Sequence, residues 1–135
     1  MQDHIDILRV MADYCYYTDV ADSRSWANCF TEDAVWEGGP FGRFEGRDGA
    51  YAYHSAPGDV SYDYRHINTN HRIDIDGDRA TVASHIQVFD QQGETPVLIF
   101  SGLYDDVIVR RGGKWLIHER TLVFDPRHFT NKAKA

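Results

Sequence analysis

The sequence predicts an α+β domain in which N-terminal helices cover one face of a curved antiparallel sheet. Helical periodicity occupies the stretch from Asp3 to about Ala21, whereas everything after about Ser61 falls into long β-rich runs joined by short glycine-bearing connections. Size agrees. The 135 residues, 42% hydrophobic and 13% aromatic, are expected to form a single domain spanning 1–135 with a self-sufficient core. No disulfide or metal staple is needed at this length.

In the first helix Ile5, Leu8, Met11, Ala12 and Cys15 recur at steps of three and four, the stripe of an amphipathic helix, with Asp3 available as its N-cap. Tyr14, Tyr16, Tyr17 and Val20 widen the stripe, so this end is covered on several sides. Asp22-Ser23 is a stop-and-restart signal, and either residue can cap a short second helix through Trp26, Ala27 and Phe30. Ala34-Val35-Trp36 is strand-like, and Gly38 to Gly46 reads as a glycine-punctuated turn with a short extended piece. Asp48 is placed to cap a third helix through Tyr51, Ala52 and Tyr53, ended by Pro57-Gly58.

Tyr62 to Asp76, Arg79 to Phe89, Pro96 to Val109 and Lys114 to Phe124 then form an antiparallel meander. Strands of this length twist, so the sheet curls around the first helix into a cone with a pocket. Only the tail from Thr130 to Ala135 reads as disordered.

The charge of −7, from 14 basic and 21 acidic residues, argues against nucleic-acid or anionic-membrane partners, which demand clustered Lys and Arg. A small-molecule or protein partner is expected instead. The opening MQDHIDILRV lacks the features of a secretory signal, and no stretch approaches a membrane span, so the expected location is cytoplasmic. Cys15 and Cys29, without metal-site spacing, read as reduced thiols. No phosphate loop, dinucleotide fingerprint or nucleophile elbow is present, which disfavours phosphoryl transfer, hydride transfer and serine hydrolysis. No cofactor or metal is implied.

A few polar residues stand against the apolar pattern. Continuing the helical stripe from Leu8, Met11 and Cys15 reaches Thr18 and Asp22, which makes Asp22 either an inward carboxylate or a solvated cap for the next helix. Tyr17 flanks that stripe and is either an ordinary core tyrosine or a pocket phenol. His66, near the start of the first long strand, is either structural or a proton acceptor held by a carboxylate. His71 and His85 lack HxH or HExxH spacing, so a metal site is not expected, and His85 faces the pocket, solvent or a subunit interface. Arg120 shares a strand face with Leu116, Leu122 and Phe124, where it needs a carboxylate or an anionic ligand.

The ordered marks YYTDVADSRSW (16–26), FTEDAVWEG (30–38), RHINTNHRIDIDGDRATV (65–82), GLYDDVIVRRGGKW (102–115) and the following LIHER resemble the SnoaL-like group of the nuclear-transport-factor-like superfamily. That group includes polyketide cyclases, scytalone dehydratase, bile-acid dehydratase and hexachlorocyclohexane dehydrochlorinase. The resemblance implies a cone-shaped fold and a homodimer or homotrimer. It matches Asp22 to the family's acid before a tryptophan, Tyr17 to a tyrosine five positions earlier, His66 to the strand histidine and Arg120 to the arginine after Trp115. Tyr14 and Asp19 repeat the same spacing and remain the rival pair. Scytalone dehydratase carries its second pocket histidine farther along the strand than His85, and the arginine of bile-acid dehydratase lies beyond Arg120.

The resemblance therefore implies cofactor-free lyase or isomerase chemistry on a cyclic or aromatic substrate. Asp22 would hold His66 as base, while Tyr17 and Arg120 stabilise developing negative charge. Trp36, Phe41, His85, Phe100 and Tyr104 are the expected substrate-binding residues. Two alternatives share this fold: a polyketide cyclase that mainly templates its substrate, and a ligand-binding module without turnover.

Overall fold

The structure is a computed structural model that describes residues 1–57 and 63–125. Helix α1 (Gln2–Asp19) buries Ile7, Val10, Met11, Tyr14 and Cys15. Ile5 and Leu8, expected inside, are 51% and 42% exposed. Apolar side chains surround this helix, so periodicity permits either face to turn inward, and contact with the sheet decides. Asp3 is not the cap. Met1 occupies that position, and the Asp3 carboxylate instead accepts bonds from Arg110 Nη1 at 2.7 Å and Trp115 Nε1 at 3.1 Å.

The chain reverses at Ala21, whose φ is +57°, and enters α2 (Ser23–Ala27). Phe30, expected in that helix, opens β1 (Phe30–Glu37), because α2 is already closed by Asn28. A single 3-10 turn (Gly39–Phe41) and β2 (Arg43–Glu45) lead into α3 (Gly46–His54). Glu45 holds the N-cap position there. Asp48 lies within the first turn, where its charge complements the helix dipole without capping.

The long runs form β3 (Tyr64–Asp76), β4 (Arg79–Asp90), β5 (Val97–Arg111) and β6 (Lys114–Phe124), close to the expected boundaries. Gly58 of the expected helix stop, Tyr62 of the first strand and the Thr130–Ala135 tail lie outside the described residues. No helix among the described residues is long and apolar enough to cross a membrane.

All six strands belong to one curved sheet in the order β2-β1-β6-β5-β4-β3. The meander β3 to β6 is antiparallel as expected, but β1 joins β6 in parallel, so the sheet is mixed. The parallel pairing sets Phe30 beside Ile117, a return across most of the chain that local turn signals cannot reveal.

Register assembles the concave face. Ile73, Val82, Asp106, Arg120, Trp36 and Phe44 are successive cross-strand partners, one row running over all six strands. A bulge between Thr69 and Arg72, with Asn70 at φ +57°, shifts the inward positions of β3. His66 and Asn68 therefore share the partly buried face with His71, Ile73 and Ile75. Tyr14 of α1 and Trp26 of α2 pack with Phe30, Trp36 and Phe44 of β1 and β2 as an aromatic cluster on the β1–β2 side of the sheet.

Candidate active site

Asp19 is the last residue of α1, and His66 is the third residue of β3. The Asp19 carboxylate accepts from the His66 backbone N–H at 3.1 Å and lies 2.7 Å from the ring Nδ1. Arg65 Nε stands 3.3 Å from its second oxygen. With its proton on Nδ1, the neutral imidazole donates to Asp19 and leaves Nε2 as an acceptor, which has no hydrogen-bond partner among the described residues. The side chains are mostly buried, 19% exposed for His66 and 11% for Asp19. A carboxylate at Nδ1 fixes the tautomer and the orientation of the ring, which a general base requires.

Asp22 is not the partner of His66. Its carboxylate accepts from the Ser25 backbone N–H at 3.1 Å as the cap of α2. Hydrogen bonding from Ser25, through its side chain first and then its backbone N–H, holds the Asp22 pKa below the usual carboxylate value. The expected stripe fails here for a physical reason: α1 ends at Asp19, so helical spacing no longer applies at position 22. Of the two pairs left open by sequence, the structure brings together the Asp19 alternative with His66.

Tyr17 also moves away from this role. Two residues span about 200° of helix, which puts Tyr17 on the far side of α1 from Asp19. It lines a groove of about 480 Å³ together with Asp13, Cys29, Lys114 and Trp115.

Arg120 is fully buried and donates from Nε and Nη2 to Asp106, both at 2.8 Å. Its guanidinium lies 3.8 Å from the Tyr104 ring centre and 4.3 Å from that of Tyr14. Burial pushes the Asp106 pKa up, while Arg120 opposes that shift. The Nη1 atom has no hydrogen-bond partner among the described residues. Arg120 thus forms the structural bridge weighed from sequence, in the centre of the sheet row and apart from the Asp19–His66 pair.

Trp36 and Tyr104 are likewise core groups. Trp36 stacks on Phe44 at 5.2 Å and donates from Nε1 to the Tyr14 hydroxyl at 3.2 Å, while Tyr104 packs edge-on against Tyr14. His85 is exposed on the opposite sheet face and meets the Asn70 amide at 2.9 Å, because odd positions of β4 point outward. It is not a pocket residue. Phe41 and Phe100 do stand together, 5.4 Å apart, with Phe124 completing the aromatic group. His66 pairs with Val88, and Val88 with Phe100, so His66 and Phe100 share one transverse row two strands apart.

Two further polar groups went unassigned in the sequence. Asn68 donates to Ser84 Oγ at 2.9 Å and its carbonyl meets His71 Nε2 at 2.9 Å, an inward relay made possible by the β3 bulge. Burial, and next the charge of Arg120, lower the His71 pKa. His54 stacks on Trp26, with Nδ1 2.8 Å from Ser23 Oγ and Nε2 3.0 Å from Thr18 Oγ1. Burial first, then the nearby His66, lowers its pKa to about 4. A histidine ending a short helix carries no sequence signal of such a bridge. Among the described residues no three His, Cys, Asp or Glu side chains converge to hold a metal ion. Cys15 and Cys29 are buried thiols whose pKa values burial raises to about 12.

The model of the SnoaL-like domain matches residues 1–121. The chain belongs to the SnoaL-like family. Solved structures extend this result to the cystatin-like fold. A Mycobacterium tuberculosis protein of unknown function is 31% identical to this SnoaL-like chain, covering 91% of it and 72% of its own length, with a TM-score of 0.83. A Novosphingobium aromaticivorans protein named for scytalone dehydratase is 25% identical over 91% of this chain and 84% of its own, with a TM-score of 0.80. ActVI-ORFA of Streptomyces coelicolor is 22% identical over 93% and 98%, with a TM-score of 0.80, a likeness of fold. No curated protein matches the chain significantly.

Proposed function

We propose that this SnoaL-like chain is a cofactor-independent lyase or isomerase in which His66, oriented by Asp19, moves a proton on a cyclic or aromatic substrate. The supporting observation is the 2.7 Å contact between His66 Nδ1 and Asp19, which leaves Nε2 as the basic nitrogen. Nε2 takes a proton from an acidic C–H beside a carbonyl, and the freed electron pair becomes an enolate. In an elimination that pair then forms the C=C bond as a β-hydroxyl departs, and the proton held by His66 leaves with it as water. In an isomerisation the same proton returns at another carbon.

Phe41, Phe100 and Phe124 form one aromatic group, and Phe100 shares the transverse row of His66, an arrangement that suits a flat ring. The similarity to the protein named for scytalone dehydratase supports the same class of reaction.

A second reading, ligand binding or templating without base catalysis, draws support from the aromatic cluster packed between the helices and the β1–β2 side of the sheet. One experiment separates the two. Cyclic β-hydroxy ketones are screened for dehydration and for exchange of their acidic C–H with deuterated water. With an active compound, His66→Ala is expected to lower kcat by about two to four orders of magnitude. Turnover within a few-fold of wild type in that variant removes the base assignment and leaves the binding reading.

A further inference from the structure

We propose that His54 is a positioning residue that pins the corner between α1 and α2 and so holds Asp19 on His66; the proposal rests on reading Asp19–His66 as the working pair. Asp19 is the final residue of α1, whose last turn is closed by backbone bonds from Val20, Ala21 and Asp22 to the carbonyls of Tyr16, Thr18 and Tyr17, so its side chain moves with the corner that follows. The next turn carries Ala21 at φ +57°, a left-handed conformation that is unfavourable for a residue with a Cβ. A carboxylate on such a turn keeps its aim only if both flanks are tied down.

His54 ties both. One ring nitrogen lies 3.0 Å from the hydroxyl of Thr18, the residue just before Asp19, and the other lies 2.8 Å from the hydroxyl of Ser23, just after the corner. The ring belongs to a third element, α3, and is only 4% exposed, stacked 4.5 Å from the Trp26 ring centre. A neutral imidazole offers one donor and one acceptor, and each hydroxyl can take the complementary role, so the bridge is satisfied without charge. The low pKa produced by burial keeps the ring in that form.

Polar work along 18–23 is thereby divided: Thr18 and Ser23 hold the staple, Asp22 caps α2, and Asp19 alone is directed at β3. Any buried imidazole must satisfy both ring nitrogens; His54 does so with two hydroxyls that flank the same corner.

The test reads geometry directly. In histidine-labelled protein the Nδ1 proton of His66, held against a carboxylate, gives a resonance downfield of the backbone amides, and its disappearance in Asp19→Asn assigns it. Thr18→Val removes the hydroxyl at nearly constant shape, and Thr18→Ser restores it. The resonance is expected in wild type and Thr18→Ser and lost or broadened beyond detection in Thr18→Val, with thermal unfolding still cooperative in each. On an active substrate, Thr18→Val should lower kcat roughly tenfold with KM little changed, the mark of misplaced chemistry. A folded Thr18→Val protein with an undiminished resonance overturns the proposal. The readout does not need turnover. If His66→Ala retains activity while Thr18→Val loses the resonance, the base assignment falls and the positioning role stands.

Discussion

Asp19 contacts His66 twice, through the backbone N–H and through the ring Nδ1, so the carboxylate fixes both the strand position and the ring orientation of its partner. The double contact couples the end of a helix to the edge strand of the sheet. It also separates Asp19 from Asp22, which lies three residues on and performs a different task.

Asp19→Asn is accordingly expected to lower kcat on an active substrate by at least about tenfold, because an amide can turn its NH₂ toward Nδ1 and stabilise the wrong tautomer. Asp22→Ala should leave turnover near wild type and cost about 1 kcal/mol of stability through the lost helix cap. Kinetics and urea unfolding of the two variants check this. An inactive Asp22→Ala beside an active Asp19→Asn would reverse the assignment.

Stability should depend on acid through His54. The ring's ordinary pKa is 6.5 and its buried value is about 4, so between these limits the unfolded chain binds a proton that the folded chain does not. Stability therefore falls as pH drops from about 6.5 to about 4, by up to roughly 3 kcal/mol from this group. His71, also lowered by burial, acts in the same direction. Urea midpoints measured across the window should decline in wild type and decline less in His54→Gln; equal slopes would contradict the burial of a neutral ring.

Asp106 and Arg120 face each other in the sheet with no exposure of either side chain. Asp106→Asn should destabilise the fold by about 3–5 kcal/mol, because it leaves a buried guanidinium without its counter-charge. Replacing both partners, Asp106→Leu with Arg120→Met, should recover most of that loss. A double-mutant cycle shows the outcome, and additive losses would rule out the pairing as the source.

The ring of Trp36 covers Gly38 so closely that a Cβ there would come 2.1 Å from Trp36 Cη2. Gly38→Ala must therefore displace the indole and break its bond to the Tyr14 hydroxyl. A loss of about 1–3 kcal/mol is expected, with a change in tryptophan fluorescence. Unaltered emission and stability would show that the ring has room to move.

Much of the architecture could be read from local pattern. The strand runs separated by Asp76-Gly77-Asp78 and Arg111-Gly112-Gly113 match β3 to β6 closely, since alternation and turn chemistry act over a few residues. His66 is legible as a strand residue, but local pattern leaves it either structural or a proton acceptor, and only the family resemblance singles it out. Its acid was harder to choose. Tyr14–Asp19 and Tyr17–Asp22 share one spacing, and only the point at which α1 stops separates them.

By itself, then, the chain's alternation and glycine placement determined an α+β arrangement with a long antiparallel meander, because those signals depend on the backbone conformation of adjacent residues. The tertiary structure decided which face of α1 turned inward, that β1 would lie parallel to β6, and that Asp19 would meet His66. It also brought His54 to Thr18 and Ser23 and set Asp106 against Arg120. Each of those contacts joins residues far apart in the chain, and their energies depend on burial and geometry that exist only once the sheet has curled around the helix.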